Sequence, residues 1–342
     1  MKLTIRRVIK FLLLICSGYL LCLLFFPRTY DVPQIQEQKG TLYWNLPTGS
    51  RIAYAFIPAK GIKKPYPIIF LQGGPGGFIS DRNIEMLAPL SENGYNIYLY
   101  DQIGSGHSER LKNIEEYTAL RHKKDLEAIV AKTGAEKVIL IGQSWGACLA
   151  TLFIADNPGK VDRAIFTGPG PIQPVNMELA DIKAPDSLQL IVPLYSNANA
   201  NNEVQNFRIK LITKWAMLFH GKLASDKEVD DFQTLLNTSL NKSTVCDTSK
   251  ALKAAGGGGF YVQIMTLKSL AHTPDPRPKL MNSKIPVLVM KGQCDNQKWG
   301  FTNEYLQLFS NHKLVVIKDA GHSISIEQPA LYLKTMRDFL GE

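Results

Sequence analysis

A serine between glycines, a carboxylate and an imidazole occur along this chain in an order that suits nucleophilic acyl transfer. Ser144 lies in GQSWG, from Gly142 to Gly146, directly after the apolar VILI and directly before the helix-forming ACLATLFIA. The glycines permit a sharp strand-to-helix turn that lifts the hydroxyl clear, and the helix start favours developing negative charge. A serine at neutral pH is a weak nucleophile, so a base must take its proton and a carboxylate must orient that base. His322 follows the last strand-like run in VVIKDAGHSISIEQP, where a loop can hang an imidazole over Ser144. His107, His122, His220, His272 and His312 follow no strand end in a comparable place and read as surface or cap residues. Asp295 stands five residues past Met290 in VLVMKGQCDNQ and is the candidate orienting acid. Asp319, three residues before His322, reads as a turn residue, and the run ending at Thr167 is followed by Gly168 and Pro169 rather than an acid.

Acyl transfer also needs donors for the oxyanion. LQGGPGGF, from Leu71, is a glycine-rich loop after an apolar run, and its backbone N–H groups suit that task. Gly74 is the candidate donor there, with the Trp145 N–H as the second. A phosphate-binding role is disfavoured because no lysine follows these glycines. Cys148, four residues beyond Ser144 on the predicted helix, reads as packing, and Cys294 beside Asp295 as a small buried filler. Trp215, Trp299, Phe260 and Tyr261 are candidates for a substrate pocket or for the core.

These residues need a scaffold. Short apolar runs at Ile68 to Leu71, Ile97 to Tyr100, Val138 to Ile141, Ala164 to Thr167, Val287 to Met290 and Leu314 to Ile317 read as buried parallel strands. Segments such as Tyr117 to Thr133 and Trp145 to Asn157 have the length and spacing of crossover helices, so the pattern is a doubly wound α/β sheet. Thr41 to Tyr43 and Arg51 to Ile57 flank a turn signal and suggest an antiparallel start. Between 172 and 280 the strand rhythm stops, in a stretch rich in Asn, Lys, Leu and Ser, and this reads as a helical cap inserted into a core formed by 31–171 and 281–342.

At 342 residues with 45% hydrophobic and 20% charged composition, the chain can bury a core and is not a disordered or fibrous protein. Its net charge is +9, of which Lys2, Arg6, Arg7 and Lys10 supply four; no nucleic-acid surface is indicated. That basic leader precedes sixteen uncharged residues, Phe11 to Phe26, longer than an ordinary signal-peptide core and shorter than an ordinary span. The expectation is a membrane segment over 1–30, left uncleaved, with the catalytic domain on the outer side by the positive-inside rule; the alternative is a cleaved secretion signal. Five cysteines at no metal-like spacing give no disulfide framework.

QGGPGG at Gln72, DQIGSGHS at Asp101, GQSWGACLA at Gly142 and the pairing of GQCD with GH at Asp295 and His322 together resemble the proline iminopeptidase group of α/β-hydrolases. The resemblance covers roughly 40–171 and 281–342 and implies the α/β-hydrolase fold. It also implies an aminopeptidase that removes N-terminal residues, typically proline, from short peptides with Ser144, Asp295 and His322 and without metal or other cofactor. Departures are Gln72, where the family's glycine loop usually opens with histidine, and Ile103, where arginine is usual. Asp101 belongs to the motif and is expected to organise a loop. Such an enzyme holds the free substrate amine with cap carboxylates, since a buried ammonium without one is costly. Glu178, Asp181, Asp186, Glu203, Asp226, Glu228, Asp230, Asp231 and Asp247 are candidates, each with a solvated helical face as its default. An esterase, lipase or amide hydrolase with the same triad is the second reading, favoured by an apolar cap pocket lacking a carboxylate. A membrane-tethered binding protein without turnover is the third. Dehalogenase and epoxide hydrolase chemistry is disfavoured because those relatives carry a carboxylate where this chain has Ser144.

Overall fold

A computed structural model describes residues 2–36, 40–281 and 283–342. Helix α1, Lys2–Phe25, takes in both the basic leader and most of the apolar run. The expected membrane span is not supported: among the described residues no helix is long and apolar enough to cross a membrane. Sixteen uncharged residues rise only about 24 Å as a helix, short of a hydrocarbon core of about 30 Å.

The chain then lays down eight strands, among the described residues, in one sheet: β1 (Leu42–Asn45), β2 (Arg51–Ile57), β3 (Ile68–Leu71), β4 (Ile97–Tyr100), β5 (Val138–Gln143), β6 (Val161–Thr167), β7 (Val287–Gly292) and β8 (His312–Ile317). Their order is β1-β2-β4-β3-β5-β6-β7-β8; β1–β2 and β2–β4 are antiparallel and every other pair is parallel. The expected runs mark the right places, and β5, β6, β7 and β8 extend past them because sheet pairing recruits flanking residues such as Arg163 and Lys291.

Alternation along the strands builds two cores. Ile69, Leu71, Val138, Leu140, Val287 and Val289 face one side, with helices α3 (Ala119–Lys132) and α4 (Trp145–Asp156) packed over it. Ile68, Phe70, Ile139, Ile141, Leu288 and Met290 face the other, toward α2 (Asp81–Leu87) and α12 (Pro329–Leu340). A strand buried on both faces is apolar at nearly every position, which is why these segments read as near-continuous runs.

Between β6 and β7 the chain leaves the sheet and forms α5 (Asn197–Val204), α6 (Phe207–Phe219), α7 (Asp226–Leu240), α8 (Phe260–Ser269) and α9 (Arg277–Leu280). This cap lies over the carboxyl ends of the strands, and α10 (Trp299–Leu308) and α11 (Ile324–Glu327) follow β7 and β8. Cys246 of the cap is joined to Cys294 by a disulfide, which corrects the reading of Cys294 as a lone filler.

Candidate active site

Four loops leave the carboxyl ends of β3, β5, β7 and β8, the edge where open α/β sheets place their ligands. The turn after β5 holds Ser144 at φ +52° and ψ −115°, a backbone few non-glycine residues adopt. Its glycines are sterically required. A Cβ on Gly146 would fall 2.0 Å from the Leu71 carbonyl oxygen, and one on Gly142 would fall 2.7 Å from the Ala147 nitrogen. Close approach of α4 to β3 therefore fixes where the serine emerges.

His322 and Asp295 are brought together from the loops after β8 and β7. The His322 Nδ1 lies 2.9 Å from Asp295 Oδ1, and both side chains are buried. The Gln297 N–H donates to the same carboxylate oxygen at 3.0 Å, while the buried Lys291 ammonium donates to Oδ2 at 3.2 Å. Burial pushes the Asp295 carboxyl up, but the His322 and Lys291 charges outweigh it and hold the group down to about 2. Gly168, left-handed at φ +50°, gives the imidazole its space, since a Cβ there would sit 2.9 Å from His322 Nδ1. His322 and Ser144 line one cleft of about 490 Å³.

The glycine loop borders that cleft beside the serine turn, where a Cβ on Gly73 would fall 3.3 Å from Ser144 Cβ. Gln72 supports the loop: its amide donates to the Phe78 carbonyl and to Asn83 Oδ1, both at 3.0 Å, and its oxygen accepts from Gly73 N. Gln102 spans the loop from the far side, accepting from Gly76 N at 3.0 Å and donating to the Gln72 carbonyl at 2.8 Å. Among the described residues nothing accepts a hydrogen bond from the backbone N–H of Gly74 or Trp145. Asp101 accepts from the Ile79 and His107 N–H groups, each at 2.7 Å, and thus ties this loop to the next. Ile103 is buried in the core.

Other candidates lie elsewhere. His122 is neither surface nor cap: it is buried against Trp145 and Thr266, and burial lowers its imidazole to about 3. Cys148 is buried beside Tyr305 and the Pro171 carbonyl, with its thiol pushed up to about 12 by burial. Trp215, Trp299, Phe260 and Tyr261 do not line the cleft, whose aromatic wall is Phe78. None of the nine proposed cap acids lines it either. Glu228 is instead buried in an ion pair with Arg208, and Asp230 pairs with Arg110 at 3.1 Å, so their default as solvated residues was also wrong. The cap offers amides, Gln233, Asn237, Asn241 and Gln263, with Lys253 at its rim; Asp81 and Arg82 border the opposite wall. Sequence reasoning missed Gln102, Lys291, Cys246 and Glu327; a charge inside the apolar VLVMKG was the one available signal for Lys291. Among the described residues no cluster of metal-ligating side chains is found.

A family profile described as alpha/beta hydrolase fold matches residues 66–329. The chain belongs to the α/β-hydrolase fold family. It is 23% identical over 300 residues to a proline iminopeptidase of Saccharolobus solfataricus, covering 86% of this chain and 90% of that protein. It is 25% identical over 297 residues to one of Heyndrickxia coagulans, covering 86% and 96%. The solved structure of proline iminopeptidase from Mycobacterium smegmatis superposes with a TM-score of 0.57 at 16% identity, covering 88% of this chain and 98% of that one, a likeness of fold.

Proposed function

We propose that this α/β-hydrolase is a serine hydrolase working through an acyl-enzyme on Ser144, and that it releases N-terminal residues from short peptides. The observation that carries the reading is the buried 2.9 Å contact of His322 Nδ1 with Asp295, beside a cleft that His322 shares with Ser144. With Nδ1 engaged by the carboxylate, Nε2 is left to take the Ser144 proton as Oγ attacks the carbonyl. Gly74 N–H and Trp145 N–H stabilise the oxyanion. His322 then returns the proton to the leaving amine, and water releases the acyl group by the same route. The peptide substrate is supported by the names of the relatives and by the four matching segments.

The amide-lined cap supports a second reading, an esterase or amide hydrolase acting on a neutral acyl group, because a buried substrate ammonium calls for a carboxylate and, among the described residues, Asp81 is the one carboxylate bordering the cleft. The 172–280 segment is in either case the substrate-selecting element. We place the domain outside the cytoplasm, since a disulfide beside the site persists in an oxidising compartment and the basic, then apolar, leader suits export.

The test compares prolyl and alanyl chromogenic amides, a blocked prolyl amide and a short-chain acyl ester, with Ser144→Ala as control. Turnover confined to free-amine substrates and lost in Ser144→Ala is the expected result. Ester turnover without amide turnover moves the reading to the second one, and equal rates in Ser144→Ala overturn both.

A further inference from the structure

The His322 loop is fastened to the cap by a carboxylate that has no place in the reaction. Glu327, the last residue of α11, accepts from the Gly321 N–H at 2.7 Å, from the Cys246 N–H at 2.9 Å and from the Asp247 N–H at 3.1 Å. Gly321 immediately precedes His322, whereas Cys246 and Asp247 lie in the cap. Glu327 does not line the cleft, so it meets no substrate there. Two neighbouring bonds run across the same seam: Ser323 N–H to the Thr244 carbonyl at 2.8 Å and the Ser323 hydroxyl to Thr244 Oγ1 at 3.0 Å. The seam is tight, because a Cβ on Gly321 would fall 2.5 Å from the Thr244 carbonyl oxygen. Cap residues 243–247 also reach the acid: Cys246 is bonded to Cys294, next to Asp295, and Asn296 donates to the Ser243 carbonyl at 2.9 Å. One short cap strap thus touches both the loop of the base and the loop of the acid.

We infer that Glu327 is a positioning residue for His322, holding the imidazole against Asp295 by gathering the Gly321, Cys246 and Asp247 N–H groups on one carboxylate, so that seating of the base depends on docking of the cap. The inference rests on His322 as general base. Charge-assisted bonds from three backbone donors are stronger than neutral ones and leave little freedom in the loop. Glu327→Gln preserves shape but turns an NH₂ toward N–H donors, so the knot opens while the cleft lining is unchanged. A displacement of about 1 Å at a reacting group costs on the order of 10²-fold.

The test uses the full chain with Glu327→Gln and the shorter Glu327→Asp. The first readout is the low-field proton NMR signal of His322 Nδ1, observed irrespective of substrate. The second is the rate at which an alkyl fluorophosphonate labels Ser144, together with its pH profile. The expected result is loss or broadening of the low-field signal and labelling slowed about 10- to 100-fold at an unchanged melting temperature, with Glu327→Asp intermediate. If Glu327→Gln does not fold, Glu327→Asp carries the same comparison. A variant that keeps the wild-type signal, labelling rate and pH profile overturns the inference, as does a slowing that merely follows the unfolded fraction. Failure of the hydrolase reading shows separately, as wild-type protein that is not labelled or is labelled equally in Ser144→Ala.

Discussion

Lys291 and Asp295 decide the electrostatics of the site at the scale of single residues. The ammonium is almost wholly buried and its nearest carboxylate is Asp295, which it shares with His322. Replacing Lys291 by Met removes one of the two charges that hold the acid down, so burial raises the Asp295 carboxyl. The folded-state value of Asp295 lies below its unfolded one, so the stability it contributes is present above about pH 4 and is lost as pH falls toward 2; denaturant unfolding in Lys291→Met should lose part of that dependence. Asp101 has the opposite sign. Burial outweighs the two backbone donors and raises it to about 6, so the folded state binds the extra proton and wild-type stability falls by on the order of 1 kcal/mol between pH 5 and 7. Asp101→Asn should remove that fall when unfolding is measured at both pH values. Ser144, His322 and Asp295 could be singled out from the sequence because each follows an apolar run in chain order, and the structure seats His322 against Asp295 and puts His322 and Ser144 on one cleft. Lys291 and Glu327 could not, since their meaning lies in partners that only the folded loops supply.

At the scale of elements, the close approach of helix α4 to strand β3 sets the position of Ser144. Gly146→Ala drives a methyl into the Leu71 carbonyl, which neither backbone can yield without moving the serine or the glycine loop. Such overpacking costs on the order of 3 kcal/mol. The expected outcome is a lower denaturation midpoint together with loss of Ser144 labelling in the fraction that remains folded; a variant with wild-type midpoint and labelling rate would show that the turn tolerates a side chain. The sheet was readable because parallel strands buried on both faces are apolar nearly throughout, Lys291 being the buried exception in β7, and the glycines of the elbow mark a close approach. The cap was not. Its acids look like solvated positions in a linear pattern, yet Glu228 folds inward onto Arg208 and Asp230 onto Arg110, while the residues that reach the cleft are amides with no periodic signature. The cap side of the cleft is therefore less legible in the sequence than the sheet side.

For the whole molecule, the Cys246–Cys294 disulfide adds a covalent cross-link between cap and core to the two main-chain connections. Spacing could not reveal it, because the partners lie 48 residues apart and three other cysteines offered equal pairings. In a chain-entropy account, closing a loop of that length restrains the unfolded state by about 4 kcal/mol, so Cys246→Ala with Cys294→Ala should lower the unfolding free energy by about 2–4 kcal/mol. The bond also sits at the junction where the cap strap meets the acid loop, so its loss should act on the site as well as on the fold. A bond that only restrained the unfolded chain would change the melting temperature and leave turnover of folded protein untouched. A strut should lower kcat more than it changes KM, and reduction of the wild type should reproduce the double variant. Thermal melts and steady-state kinetics on oxidised and reduced protein separate these cases, and an oxidised protein no more stable than the reduced one would remove the disulfide from the account altogether. Because Glu327 fastens the same strap to the base, weakening both ties should cost more than the product of the separate losses if cap docking seats the two loops as one unit.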